Sequence, residues 1–83
     1  LITPNGDGRN DQFILPASIS SLGAIQLTIA NRWGDVVFRS DDYKNDWDGR
    51  EQKSGEALPP TSYYYVLSQS GKIIQKGIIS ILR

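Results

Sequence analysis

Between residues 24 and 30 the side chains keep a period of two: Ile25, Leu27 and Ile29 alternate with Gln26, Thr28 and Ala30. Successive side chains of a strand point to opposite faces, so this spacing predicts a half-buried β-strand and disfavours a helix. Asn31-Arg32-Trp33-Gly34-Asp35 then supplies a turn, and Val36-Val37-Phe38 returns as the partner of a hairpin. Residues 40–56 are polar and rich in turn formers, interrupted by Trp47, and Leu58-Pro59-Pro60 breaks regular structure. Tyr63-Tyr64-Tyr65-Val66-Leu67 predicts a strong strand, and Ser70-Gly71 a two-residue turn. Residues 72–75 and 77–82 form the last extended segment, where Gly77 predicts a bulge or a bend between two sheets. The nearest approach to a helical period is residues 18–23, enough for one turn. These elements predict an all-β fold: an immunoglobulin-like antiparallel β-sandwich of six to seven short strands.

Length and composition make that fold demanding. The chain has 83 residues and no cysteine. It is read as one domain, residues 1–83, which on folding removes roughly 60–65% of its chain surface from water. The core must be well packed, because no disulfide supports it. The sequence contains no methionine, so it is expected to be a piece of a longer polypeptide. Its charges are unevenly placed. All nine acidic residues lie at or before Glu56, whereas Lys72, Lys76 and Arg83 are the charged residues after it. Three bases do not make a nucleic-acid surface, but they set the sign of the C-terminal hairpin. No stretch approaches the ~20 apolar residues of a membrane span, so neither nucleic acid nor membrane insertion is expected.

Residues 3–11, Thr-Pro-Asn-Gly-Asp-Gly-Arg-Asn-Asp, concentrate oxygen-bearing side chains and glycines just before Phe13. Asn5, Asp7, Asn10 and Asp11 have the spacing with which a short loop surrounds a calcium ion. The segment is not an EF-hand, since Arg9 and Pro16 occupy positions where that loop places ligands. The other reading is turn chemistry alone, with Asx side chains bonding their own backbone. No cofactor is required on either reading; a calcium ion is the candidate.

The aromatic residues divide between packing and display. Trp47 in Asn45-Asp46-Trp47-Asp48-Gly49 is expected in the core, because a small domain needs its large side chains inside. The alternative is a sugar-stacking residue. For Trp33 packing over the end of the sheet is likewise expected. Tyr63 and Tyr65 must share one face of their strand and Tyr64 the other. Catalysis finds little to work with, because histidine and cysteine are missing and no nucleophile–base pair can be named. The glycines at positions 6 and 8 lack the strand-before, helix-after setting of a phosphate loop.

Taken in order, residues 3–11, Phe13, Asn31-Arg32-Trp33-Gly34, Val37-Phe38, Trp47-Asp48-Gly49, the tyrosine strand and the terminal Gly77…Ile81-Leu82-Arg83 resemble the gliding-motility-associated C-terminal domain. This is the type B sorting domain of the type IX secretion system of Bacteroidetes. The sequence departs from the family pattern at Arg9, where an apolar residue is usual, and at Pro60-Thr61-Ser62 before the tyrosines. The resemblance implies a non-catalytic signal that sends a large surface protein, often an adhesin, through the periplasm to the cell surface or beyond. Its implied partners are the outer-membrane translocon and a dedicated partner protein. A displayed last strand suits such capture, so Lys72, Lys76, Ile79, Ile81, Leu82 and Arg83 are the expected partner-binding residues. The competing expectation is a calcium-stabilised adhesive or carbohydrate-binding module.

Overall fold

The computed structural model describes residues 12–81. Four strands, β1 (Gln26–Ala30), β2 (Val36–Ser40), β3 (Ser62–Gln69) and β4 (Lys72–Ser80), form one antiparallel sheet in the order β2-β1-β3-β4. A single helical turn, α1 (Ala17–Ser20), precedes them. The backbone N–H groups of Ile19 and Ser20 both donate to the Pro16 carbonyl, and no side chain caps the turn, which goes no further.

Each hairpin closes as its turn residues require. Ser70 and Gly71 both have positive φ, +53° and +80°. That is the type I′ geometry whose twist matches the flanking strands. In the β1–β2 turn, the Asn31 side-chain oxygen accepts from the N–H groups of Trp33 and Asp35. Gly34 takes φ +87° there. The chain thus meets the sequence expectation at both turns.

The inner face carries Leu27 and Ile29 of β1, Tyr63, Tyr65 and Leu67 of β3, and Ile79 of β4, set side by side by the strand register. A register shift in β2 brings both Val37 and Phe38 to the core, where strict alternation would admit one. Against this face pack Ile19 of α1 and Leu15, Ile25, Tyr43, Trp47 and Leu58, all from outside the four strands. Isolated bridges join Phe13 to Trp47 and Arg50 to Ala57. The antiparallel all-β expectation is met. Of the six to seven strands expected, the described residues form four, and among them the sheet is covered by loops, one helical turn and isolated bridges.

Gly77 does not bend β4. It pairs with Tyr65 in mid-strand, and the register shift of this hairpin lies between Leu67 and Ser68, where Gln75 and Ile73 are their partners. The reason for glycine is space: a Cβ at position 77 would stand 2.9 Å from Tyr65 Cε2 and 2.9 Å from its Oη. The Tyr65 ring lies over the glycine and its hydroxyl accepts from Gln75 Nε2 at 2.8 Å.

Candidate functional site

Among the described residues, the surface most open to a partner is the edge of the sheet at β4. The two edges are treated differently. Beside β2, the Gln52 backbone N–H donates to the Val37 carbonyl at 2.9 Å. The Gln52 amide then accepts from Arg39 N at 3.1 Å and donates to Arg39 O at 2.7 Å. That edge is closed by a single residue acting as a short strand. Beside β4, among the described residues, no strand or loop makes such bonds.

Side chains sharpen the contrast. Ile73 and Ile78 are 64% and 60% exposed, and Ile74 is also exposed. Lys72 and Lys76 are exposed and make no ion pair among the described residues. The ion pairs Arg39–Asp41, Lys44–Asp42 and Arg50–Asp48 all belong to the preceding half. Ile79 and Ile81 are only 1% and 3% exposed, so they anchor the strand and do not face a partner. Inward Gly77 has the same parity as both, which places Ile78 outward; that was the signal in the sequence for choosing Ile78 instead. Asn5, Asp7, Asn10, Asp11, Leu82 and Arg83 lie outside the described residues.

The two tryptophans part company. Trp47 is 2% exposed and its indole N–H donates to the Arg50 carbonyl at 3.0 Å, so it is core as expected. Trp33 is 72% exposed, contrary to the packing expected of it. The Arg32 guanidinium lies 4.4 Å from the centre of its ring. Beside it is a largely apolar cavity of about 330 Å³ lined by Leu58, Pro59, Thr61 and Tyr63 among others. Among the described residues the indole stays largely uncovered apart from the Arg32 guanidinium and the residues of this cavity.

Tyr43, unremarked in the sequence, is the hinge pin of the loops. Its hydroxyl donates to the Phe13 carbonyl and accepts from Trp47 N, while Phe13 N donates to Trp47 O at 2.9 Å. Burial pushes its pKa up to about 12, with Asp46 and Asp48 adding to the rise and the Trp47 N–H opposing it. Glu51 is held below the usual carboxylate range, chiefly by the Ser54 N–H donated to it. Both shifts follow from burial and hydrogen bonds that hold the loops together. Among the described residues no three acidic, histidine or cysteine side chains cluster as metal ligands, and no helix is long and apolar enough to cross a membrane.

The model of one family, the CHU_C type IX secretion signal domain, matches residues 1–81. The chain belongs to that family. It is therefore a type IX secretion signal domain, a class recognised by the secretion system and associated with export towards the cell surface or the extracellular space. Neither curated proteins nor solved structures yield a match.

Proposed function

We propose that this domain is a non-catalytic C-terminal address that carries a large surface protein, such as an adhesin, through the periplasm and the outer-membrane translocon with the help of a dedicated partner protein. The observation that carries this reading is the family match over residues 1–81. The geometry supports it, since an address needs a displayed surface and β4 presents one. Recognition is assigned to residues 72–83, with Ile79 and Ile81 holding the strand in place from inside.

The test is a reporter fused to this domain in a bacterium that has a type IX system. Export is expected with the domain and lost in a secretion-deficient strain. Export that persists in the deficient strain overturns the reading. A second reading, a glycan-binding module, is favoured by the exposed Trp33 beside its apolar cavity. It expects sugar binding that Trp33→Ala abolishes while the melting temperature stays put. Calcium held by Asn5, Asp7, Asn10 and Asp11 is compatible with either reading.

A further inference from the structure

We infer that the machinery reading this domain adds an extended segment of its own to β4 as a fifth strand, and that this segment alternates apolar residues with an acidic one opposite Lys76. The inference rests on the export reading above.

An open sheet edge exposes backbone donors and acceptors to any passing strand, and proteins normally blunt it. Among the described residues this fold does so at β2 through Gln52 and leaves β4 open. Lysines on an edge are a common guard against self-pairing, but a guarded edge does not need three exposed isoleucines. From the pairings Tyr64↔Ile78, Val66↔Lys76 and Ser68↔Ile73, the outward face of β4 reads apolar, basic, apolar. Strand addition reads such alternation through side chains while the backbone bonds supply affinity. The complementary strand is apolar, acidic, apolar.

Further features define the occupant. A row of Val36, Ala30, Tyr64 and Ile78 crosses all four strands on the outward face, so an apolar residue beside Ile78 extends an existing strip. Next to it, Tyr64, Val66, Lys76 and Ile78 help line a shallow cavity of about 220 Å³ that can seat a side chain. Residues 57–83 contain no acid that would repel a carboxylate. A second copy fits poorly in the register that centres the exposed isoleucines of the hairpin end. Antiparallel pairing of two β4 strands centred on Ile74 would set Lys72 of one against Lys76 of the other, and directly opposed like charges destabilise a sheet. An anionic lipid surface would satisfy the lysines but leave the strand amides unpaired.

The probe is a synthetic peptide of about eight residues, the length of a strand, alternating threonine and valine with one central aspartate. A control carries lysine in place of the aspartate. Titration of the isotope-labelled chain followed by amide exchange should show slowed exchange confined to residues 72–80. The aspartate peptide should bind on the order of tenfold more tightly than the control, with the preference reversed in Lys76→Glu. Equal affinity for the two peptides, protection elsewhere, no binding at millimolar peptide, or the same protection from phosphatidylglycerol vesicles or from self-association would each overturn the inference. The reporter fusion separates the two claims. Lys76→Arg should keep export, and Lys76→Glu, shown folded by its melt, should lose it. If the native domain exports nothing, the export reading fails whatever the peptide does. If Lys76→Glu exports normally, that reading stands and the strand-addition inference fails.

Discussion

Single residues in this domain owe their identity to unlike neighbours. Trp47 fills the space between the loops and β3, with the Tyr63 ring centre 6.2 Å away. Trp47→Ala should cost about 3–5 kcal/mol, a large share of the total stability of a small domain, and a urea melt measures it. Trp33→Ala should stay within about 0.5 kcal/mol, since its indole is solvent-facing. Gly77→Ala would ordinarily favour a strand, but here the new methyl meets the Tyr65 ring. It should destabilise by about 1–3 kcal/mol. Introduced into Tyr65→Ala, the same change should be close to neutral, and a double-mutant cycle reads the difference. Tyr43 makes a prediction in pH. Its folded pKa, about 12, lies above the ordinary 10.0, so the fold favours the neutral phenol. That stabilisation is complete below pH 10 and is lost as pH rises through 12. Denaturant melts between pH 8 and 12 should show the decline, and Tyr43→Phe should flatten it. The same variant should be weaker at neutral pH by about 1–3 kcal/mol, because the Phe13 carbonyl and Trp47 N–H lose their partner.

At the level of elements, the hairpins were legible because local chemistry governs them. Asn31 and Gly34 specify one turn and Ser70-Gly71 the other, and both closed where the sequence placed them. The register shifts were not legible. Whether Phe38 joins Val37 inside depends on how β2 lies against β1, which is a long-range matter. Gln52 was invisible for the same reason: a glutamine in a polar loop has no local signature of pairing with a strand thirteen residues earlier. Gln52→Ala keeps the backbone bond to Val37 but should leave the Arg39 N–H and C=O unpaired and open the β2 edge there. The expected outcome is a loss of about 1 kcal/mol and concentration-dependent association in sedimentation, against none for the native chain.

For the molecule as a whole, the uneven charge and the edge left open among the described residues point the same way. Among the described residues before position 57, Asp41, Asp42 and Asp48 each pair with a neighbouring base, while β4 keeps two exposed lysines beside bare isoleucines. Deleting residues 78–83 from an exported fusion should abolish export, and it should also lower the melting temperature, because Ile79 and Ile81 leave the core with it. The segment with Asn5, Asp7, Asn10 and Asp11 makes a separate prediction. If it holds calcium at a hundredfold excess over its dissociation constant, the ion adds ~2.7 kcal/mol, and a chelator lowers the melting temperature. No shift leaves turn chemistry as its role.

Alternation, turn residues and the ordered motifs were enough to determine the antiparallel class, the two hairpins, the core place of Trp47 and the family, because each depends on near neighbours or on residue identity alone. Tertiary structure decided the rest: which isoleucines of β4 face solvent, why position 77 has no side chain, that Trp33 projects, and that Tyr43 pins the loops. Those outcomes turn on contacts between segments distant in sequence, where burial and hydrogen bonding with a far partner outweigh any local preference.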